Sequence, residues 1–308
     1  MPSRSTANER VERTPDAVIE GDGVHLACYT DGDPAQPTLV FVHGYPDTAR
    51  VWDRLVSHLA HRYHCVRYDV RGAGRSERPA SVSAYKLAHL ERDLKAVLDW
   101  ASPNAPVHLI GHDWGSIQSW EAATDPAMAD RLASFTTISG PCLDHVGHGL
   151  RLQWRRNRAA LVRQMKRSWY IGLFQLPWLA PLGWRHVLAE RWPATLARLE
   201  GEPLPVAATW REDGRHGIKL YRANIAPRLA RPRQRPAITP VHAIVARRDP
   251  FIGRGLVDGM KAWVADLQID DIDAGHWAIA SRAPEVAALI DDYIAVRKNK
   301  PAAPETAS

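Results

Sequence analysis

The chain has 308 residues, a length that suits one large α/β domain or a domain with an inserted segment. Its three cysteines are odd in number and show no paired ligand spacing, which argues against a disulfide framework and a structural zinc site and favours a reducing, cytoplasmic setting. The net charge of +6 is uneven, because residues 141–235 contain 18 Lys and Arg against 6 Asp and Glu, whereas the rest of the chain contains 22 against 28.

The two ends of the chain have compositions typical of disordered segments. Residues 1–16 contain three arginines and no apolar core, so we expect a disordered arm there rather than a secretory signal. Residues 298–308 have the composition of a frayed tail. No apolar run reaches the roughly 18 to 20 residues that a membrane-spanning helix requires, so we expect a soluble protein.

Between these ends, short β-type runs alternate with helical patterns, which predicts a parallel sheet flanked by helices. A hairpin is expected first, formed by residues 17–20 and 24–30. Near-continuous apolar runs then predict strands buried on both faces, and one alternating run predicts an edge strand. The buried runs are 38–44, 64–69, 107–113, 132–140 and 241–246, and the edge run is 266–273. Helical spacing of apolar residues predicts helices over 84–100 and 284–296.

Residues 141–235 interrupt this alternation. They contain no β-type run, six of the twelve tryptophans and several prolines, which predicts a lid of short helices inserted after a strand. The core is accordingly expected over 17–140 and 236–297. Within the lid, residues 151–167 include seven basic side chains and no acidic one. A solvated helix face is the favoured interpretation and a weak membrane-surface contact is the alternative; no nucleic-acid partner is expected, because no groove motif is present.

The sharpest chemical signal is a nucleophile elbow at residues 111–116, GHDWGS. It follows a predicted strand, precedes a helical pattern and places Asp113 where serine usually stands. Gly111 and Gly115 suit this strained turn, because its flanking positions leave no room for a Cβ. The turn would push the Asp113 side chain into a pocket. A turn with Asp113 as an ordinary helix N-cap is the weaker alternative, since it leaves the glycine pair unexplained.

A loop after an earlier strand supplies a second part of the predicted site. In residues 43–47, HGYPD, the backbone can turn the Tyr45 N–H toward the elbow. With the N–H of Trp114, the residue after the nucleophile, it would form an oxyanion hole in which each donor contributes typically about 3 kcal/mol to transition-state stabilisation. His43 is expected to shape this turn rather than to act as a base.

An ester on a carboxylate needs an activated water for its hydrolysis, so a histidine and an acid are expected near Asp113. His276 follows the last predicted strand, and Asp249 follows the strand predicted over 241–246. In the fold that contains such an elbow, the nucleophile, the acid and the histidine follow one another along the chain in this same order. We predict that His276 is the base and that Asp249 orients it; a turn-forming Asp-Pro is the alternative for Asp249.

Five motifs together resemble those of the epoxide hydrolase branch of the α/β-hydrolases. These motifs are HGYPD, RYDVRGAGRS, GHDWGS, RRDPF and AGHW. The resemblance spans residues 17–297 and extends to the hydrolase part of proteins in which such a domain is fused to a short-chain dehydrogenase. It implies an α/β-hydrolase fold with an inserted helical lid, an aspartate nucleophile and neither a metal nor an organic cofactor. Haloalkane dehalogenases share these motifs, so the motifs alone do not fix the substrate.

The lid tyrosines favour the epoxide hydrolase reading. Tyr170 and Tyr221 are the only tyrosines in the lid, and their contexts are similar to the family's Tyr-x-x-x-Phe-Gln and Tyr-Arg-x-Asn, in which two tyrosines grip the epoxide oxygen. A phenol with a pKa of about 10 can protonate the alkoxide that forms when the ring opens. Haloalkane dehalogenases usually carry Asn where this chain has Tyr45, and fluoroacetate-type dehalogenases carry Arg where it has Trp114.

The predicted reaction is hydrolysis of an epoxide to a vicinal diol through an ester on Asp113. Haloalkane dehalogenation by the same three residues is the alternative, and a catalytically silent ligand-binding relative is a weaker one. Trp114, Trp169 and Phe174 are expected to contact the substrate. The expected partners are a small apolar epoxide and water, and the protein is expected to be a monomer or a homodimer. Lid aromatic residues point to an apolar pocket, unless they pack the lid onto the body: Trp154, Trp169, Trp178, Trp184 and Phe174.

Overall fold

The computed structural model describes residues 13–156 and 158–298. Its strands are β1 (Ala17–Glu20), β2 (His25–Asp31), β3 (Thr38–Val42), β4 (His64–Tyr68), β5 (Val107–His112), β6 (Leu132–Ile138), β7 (Val241–Ala246) and β8 (Leu267–Ile272). They form one sheet in the order β1-β2-β4-β3-β5-β6-β7-β8. The β1–β2 and β2–β4 pairs are antiparallel and the other pairs are parallel. Every strand expected from the sequence is therefore present.

The helices of the described residues are α1 (Asp53–Leu59), α2 (Leu87–Ala101), α3 (Trp114–Ala123), α4 (Leu143–Arg156), α5 (Arg158–Arg167), α6 (Trp169–Phe174), α7 (Leu179–Gly183), α8 (Ala189–Glu200), α9 (Trp210–Ala230), α10 (Arg254–Asp258), α11 (Ala278–Ser281) and α12 (Ala283–Lys298). The helices expected over 84–100 and 284–296 are α2 and α12. The first of them starts later than predicted, because residues 83–85 form a separate short 3-10 turn.

The sheet is buried between two layers of helices. Along β3, Val40 and Val42 enter one apolar cluster with the leucines of α2, whereas Leu39 and Phe41 enter another with α1 and α12. Since neighbouring residues of a strand point to opposite faces, both faces of the central strands are covered. β8 is partly exposed at the sheet edge, as its alternating sequence predicts. The parallel strands therefore end at one buried edge, where loops can place polar side chains together.

Between β6 and β7, the described residues form the helices α4 to α9 and no strand. We call residues 141–235 the lid. A π-helical turn at Trp184–Leu188 connects α7 to α8. No helix in the described part of the chain combines the length and the apolar composition that crossing a membrane requires.

A buried ionic network ties the two ends of the lid to the body. Glu121 of α3 accepts hydrogen bonds from Arg228, Arg233 and Arg235, at 2.8, 3.0 and 2.5 Å. Asp144, at the start of α4, accepts from Arg228 at 2.8 Å and from Arg233 at 3.2 Å. Both carboxylates are almost fully buried, so the arginines supply the counter-charge that they need in place of water. The lid is therefore fixed where it leaves and re-enters the sheet.

Residues 13–16, which the sequence assigns to a disordered arm, contact the folded body. The Arg13 guanidinium pairs with Asp16 at 2.6 Å and with Asp31 of β2 at 2.9 Å. The Asp16 N–H donates to the Cys28 carbonyl at 2.9 Å. Residues 13–16 thus belong to the folded body, because they extend the β1–β2 pairing and carry charges that β2 complements. Residue 298 likewise ends α12; the remainder of the predicted arm and tail lies outside the described residues.

Candidate active site

Asp113 lies at the sharp turn between β5 and α3. Its backbone has φ of 51° and ψ of −123°, a positive-φ conformation that residues with a side chain rarely adopt. The flanking glycines are required by space, because a Cβ on Gly115 would lie 1.9 Å from the Val42 carbonyl oxygen and one on Gly111 would lie 2.6 Å from the backbone of α3. The Asp113 N–H donates to the Ile138 carbonyl at 3.0 Å. This is the geometry of the predicted elbow, and it directs the carboxylate into a cavity.

The loop after β3 points a backbone donor at this carboxylate. The Tyr45 N–H donates to Asp113 Oδ1 at 2.8 Å. His43 sets the loop by two hydrogen bonds: its Nδ1 lies 2.9 Å from the Gly44 carbonyl oxygen, and its Nε2 accepts from the Val70 N–H at 2.9 Å. Burial lowers the pKa of His43, so the neutral ring with a proton on Nδ1 satisfies both contacts. His43 therefore shapes the turn, as the sequence predicts.

The second predicted oxyanion donor is the backbone of Trp114. Trp114 is the first residue of α3, so its N–H has no acceptor within the helix. The Tyr45 N–H donates to Asp113 Oδ1, and the Trp114 N–H belongs to the residue that directly follows Asp113.

His276, in the loop after β8, lies between the carboxylates of Asp249, which follows β7, and Asp113, which follows β5. Its Nδ1 is 2.8 Å from Asp249 Oδ2, and its Nε2 is 3.6 Å from Asp113 Oδ2. The other oxygen of Asp249 accepts from the N–H groups of Phe251 and Ile252 at 2.7 and 3.0 Å. Asp249 is thus held by its own loop and in turn holds the imidazole. The structure brings together the three residues that the sequence predicts as nucleophile, acid and base.

The charges of this group are strongly coupled. Burial disfavours a charged His276, but the facing carboxylates of Asp249 and Asp113 outweigh it and raise its pKa to about 10. Burial likewise opposes a charged Asp249, yet the His276 ring and the hydrogen bonds to its oxygens hold its pKa below the usual range. His112, next to the elbow, is kept neutral because burial lowers its pKa to about 4. Its Nε2 then donates to the His276 carbonyl at 2.9 Å.

The two lid tyrosines meet at the cavities that Asp113 faces. Tyr170 comes from α6 and Tyr221 from α9, and their ring centroids lie 6.1 Å apart. The Trp114 ring packs against Tyr221, with centroids 4.8 Å apart. Both tyrosines line the cavities that contain Asp113. Burial and the nearby carboxylate raise both phenol pKa values, so each hydroxyl keeps its proton at neutral pH and can donate it.

Two apolar cavities meet at Asp113. The larger one has a volume of about 470 Å³ and extends under α4 toward Val146 and Leu256. The smaller one, of about 280 Å³, extends toward α8 past Trp192 and contains His276. The lining shared by the two cavities is Asp113, Trp169, Tyr170, Tyr221 and Phe251. We call them the large lobe and the small lobe; the nucleophile and both phenols lie at their junction.

The predicted aromatic pocket residues divide into two sets. Trp114 and Trp169 line the large lobe, and Phe174, Trp169 and Trp184 line the small lobe. For Trp154 and Trp178 the prediction is wrong: they are 60% and 81% exposed and line neither lobe. Trp154 lies on α4 and Trp178 directly precedes α7, and both rings are open to solvent.

Two acids that the sequence analysis did not select support the His276 loop. Asp47 accepts from the Trp277 indole N–H at 2.9 Å, and burial raises its pKa to about 7. Glu200, at the end of lid helix α8, accepts from the Trp277 backbone N–H at 2.9 Å and from the Ser281 hydroxyl at 2.7 Å. A Cβ on Gly275 would lie 2.4 Å from the Glu200 carboxylate, so glycine is required there. In the sequence, the glycine of the AGHW motif is the one sign that another group packs closely against this loop. No local pattern identifies Glu200 as that group.

In the described part of the chain, no group of three or more His, Cys, Asp or Glu side chains is placed to hold a metal ion. The polar groups at the junction of the lobes are instead a carboxylate, an imidazole, two phenols and backbone N–H donors. Such a set can perform nucleophilic attack, proton transfer and stabilisation of an oxyanion.

Comparison with known proteins identifies the fold family of the chain. A sequence model of a family described as the alpha/beta hydrolase fold matches residues 37–283, which confirms the predicted fold class. "Probable oxidoreductase EphD" of Mycobacterium tuberculosis is 40% identical over 286 residues, covering 88% of this chain and 48% of the relative. This chain thus spans about half the length of that relative. An epoxide hydrolase of Caballeronia sordidicola is 29% identical over 305 residues, covering 87% of this chain and 90% of its own.

Solved structures show the same fold. An epoxide hydrolase mutant from Bacillus megaterium, in complex with its diol product, has a TM-score of 0.73 and 20% identity, covering 91% of this chain and 100% of its own. An epoxide hydrolase from Vigna radiata has a TM-score of 0.71 and 21% identity, covering 91% and 97%. The similarity to epoxide hydrolases that the motifs indicate is therefore confirmed at the level of sequence relatives and of fold.

Proposed function

Because the chain belongs to the α/β-hydrolase fold family, we propose that it hydrolyses epoxides to vicinal diols through a covalent ester on Asp113. The observation that carries the proposal is the pair of protonated phenols, Tyr170 and Tyr221, at the same cavity junction as the Asp113 carboxylate. An epoxide needs both partners at once, because attack on carbon must be matched by proton donation to the departing oxygen. The names of the relatives from Caballeronia sordidicola and Bacillus megaterium support the same chemistry.

In the first step, an Asp113 oxygen forms a bond to one ring carbon, and the bond from that carbon to the ring oxygen breaks. Asp113 Oδ1 is held by the Tyr45 N–H, which leaves Oδ2 as the attacking atom. The alkoxide that is released accepts hydrogen bonds from Tyr170 and Tyr221 and takes a proton from one of them. Tyr221 is buried and Tyr170 is partly buried, so few waters compete for their hydroxyl groups.

In the second step, His276 activates a water that attacks the ester carbonyl carbon of Asp113. Alkylation converts Asp113 from a carboxylate into a neutral ester, which removes one of the two charges that raise the pKa of His276. The pKa therefore falls once the ester exists, and the neutral imidazole becomes available as a base. The oxyanion that forms is stabilised by the Tyr45 and Trp114 N–H groups. Its collapse breaks the bond between the Asp113 carbonyl carbon and the ester oxygen, and that oxygen takes the proton from His276. The remaining carboxyl proton returns to the phenolate, so the diol leaves and the starting charges are restored.

The shape of the cavity favours an epoxide with apolar groups on both sides of the ring. The lobes, of about 470 and 280 Å³, extend in different directions from Asp113, and each has the size of a small-molecule site. Their walls are mainly aliphatic and aromatic side chains, so a charged substituent would lose its hydration without gaining a partner. We therefore expect disubstituted apolar epoxides to react with a higher kcat/KM than short terminal or charged ones.

Haloalkane dehalogenation is the alternative, since the same triad would serve it. It is less favoured for two reasons. Two phenols face Asp113 from the lid, and Tyr45 occupies the position after His-Gly where haloalkane dehalogenases usually carry Asn. A panel of styrene oxide, stilbene oxide and bromoalkanes, with products identified by mass spectrometry, distinguishes the two. We expect diols from the epoxides; halide release without any diol would select the dehalogenase.

The covalent step has its own test. With enzyme in excess over epoxide in water labelled with oxygen-18, the first diol formed should be unlabelled and the label should appear in the peptide that contains Asp113. That pattern follows because water attacks the Asp113 carbonyl carbon, so the diol receives an old carboxylate oxygen. A labelled diol with an unlabelled peptide would mean that water attacks the epoxide directly, and it would refute the ester.

A further inference from the structure

The outer surface of the lid is unusually apolar. Along α4 to α7 and the π-helical turn, large apolar side chains are exposed to solvent, and the most exposed is Trp178 at 81%. Successive helices in this segment contact one another, so the exposed side chains belong to one packed group of helices. We call this surface the lid face, and its apolar members are Leu152, Trp154, Val162, Met165, Trp169, Leu173, Leu176, Trp178, Leu179, Leu182, Val187 and Leu188. Apolar patches of this extent usually mark an interaction site.

The same surface carries positive charge that no local acid balances. Residues 145–189 contain eight Lys and Arg and no Asp or Glu. Of these basic residues, six have exposed side chains in the described part of the chain: Arg151, Arg155, Arg156, Arg158, Lys166 and Arg185. Aromatic and aliphatic groups interspersed with Lys and Arg are the composition of helices that lie in the plane of a membrane interface.

The lid face also surrounds the entrance to the two lobes. Met165 and Trp169 are exposed and line the large lobe. Leu173 and Leu188 are exposed and line the small lobe. A side chain that is both on the surface and in the cavity wall lies at the rim. An apolar molecule could therefore pass from a surface covering the lid face into the cavities without crossing water.

From these three observations we propose that the lid face docks on an anionic lipid bilayer. The bilayer supplies the apolar phase that the exposed side chains lack and the negative charge that the basic residues complement. A second copy of this chain fits less well, because pairing two lid faces would bring two sets of positive charges together. A nucleic acid fits less well too, because most exposed side chains there are aliphatic and offer no stacking surface. The docking would also deliver membrane-dissolved epoxides, a consequence that rests on the proposed function.

Binding is measured by co-sedimentation with vesicles of phosphatidylcholine, with and without phosphatidylglycerol. We expect the wild type to bind the anionic vesicles, to bind the neutral ones at least roughly tenfold more weakly, and to lose affinity as salt is raised. Arg155→Ala with Arg156→Ala should weaken binding by about 25-fold at low salt, since each basic residue near a charged membrane contributes about fivefold. Equal binding to both vesicle types, or none to either, would overturn the proposal.

The apolar contribution is tested by replacing Trp178, Leu179 and Leu182 of α7 together with serine. These side chains line neither lobe, so the lid should stay folded and turnover of dissolved epoxide should persist, while vesicle binding falls at least roughly tenfold. Val18→Ser with Val296→Ser is the matched control, because both valines are exposed on the body, and it should bind like the wild type. Unchanged binding by the α7 variant at native helicity contradicts the proposal.

Two further measurements separate the alternatives. Light scattering that shows a dimer in the wild type and a monomer in the α7 variant, without vesicle binding, would assign the lid face to self-association. The sedimentation assay needs no turnover, so vesicle binding without hydrolysis of any epoxide would sink the proposed function and leave the docking intact. If both hold, the α7 variant should lose activity on vesicle-dissolved epoxide and keep it on dissolved epoxide.

Discussion

Replacing His276 with glutamine should separate the two halves of the proposed reaction. Glutamine fills a similar volume and can keep a hydrogen bond to Asp249, but its amide cannot accept a proton at neutral pH. The first step uses Asp113, Tyr170 and Tyr221 and requires no base. The second step requires the imidazole, whose Nε2 lies 3.6 Å from Asp113 Oδ2 and thus within one water of the ester carbon. The ester should therefore form and remain.

The size of the effect follows from the role of the base. A positioned general base contributes about 10² to 10⁴ in rate, which corresponds to about 3 to 5.5 kcal/mol in the barrier. Because only hydrolysis of the ester depends on His276, kcat should fall by that factor. The oxyanion donors, Tyr45 and Trp114, remain in place and leave a slow residual hydrolysis.

Intact-mass spectrometry measures the outcome directly. His276→Gln mixed with styrene oxide should gain the mass of one epoxide molecule per chain, and peptide mapping should locate it at Asp113. Asp113→Asn is the matched control and should gain nothing at that peptide. A rapid burst of one equivalent of consumed epoxide should accompany the adduct.

The reasoning fails if His276→Gln loses turnover and gains no mass while still folded. In that case His276 would be needed before or during attack on the ring, and the base would belong to the first step. An adduct on a residue other than Asp113 would refute the assignment of the nucleophile.

Three other outcomes are expected. Tyr170→Phe and Tyr221→Phe should each lower kcat/KM for epoxides by roughly tenfold to 150-fold, the loss of about 1.5 to 3 kcal/mol for a hydrogen bond to a charged oxygen, and the double variant should lose nearly all activity. Glu121→Gln should lower the free energy of unfolding by about 3 kcal/mol in urea titrations, because Arg228 and Arg235, whose side chains are only 17% and 10% exposed, lose a counter-charge, whereas Glu190→Gln, on an exposed pair, should leave the midpoint unchanged. The raised pKa of His276 stabilises the folded protein fully below about pH 6.5 and is lost as the pH rises through about 10, so the stability advantage of wild type over His276→Gln should shrink between those values; an advantage that grows with pH would contradict the assigned charge.

Much of the fold and the catalytic group could be predicted from the sequence because each signal is local. The elbow needs glycine at 111 and 115 since a Cβ there would collide with backbone, so the constraint is visible in the residues themselves. Continuous apolar runs report strands buried on both faces whatever their neighbours are. Asp249 and His276 follow strands, and adjacent parallel strands β7 and β8 bring their ends together.

Other features were decided by packing between distant segments. Trp154 and Trp178 were expected in the pocket but are exposed to solvent, because the packing of the lid segments decides which of their side chains face the body. Glu200 reaches the loop of His276 through a hydrogen bond from the Trp277 N–H, 77 residues away in the chain. No motif marks Glu200 in the sequence. The contact of residues 13–16 with the body could not be predicted, because the pairing of Arg13 with Asp31 exists only when β2 is in place.

The sequence by itself determined the strained elbow at Asp113, the positions of Asp249 and His276 after strands and the layered sheet, since these depend on steric and hydrophobic rules that act over a few residues. Only the tertiary structure decided that two lobes meet at Asp113, that Tyr170 and Tyr221 lie at their junction, and that many apolar side chains of the basic lid are exposed. The shape of a cavity and the direction of a side chain depend on how separate helices pack against one another, and residue order alone does not specify that packing.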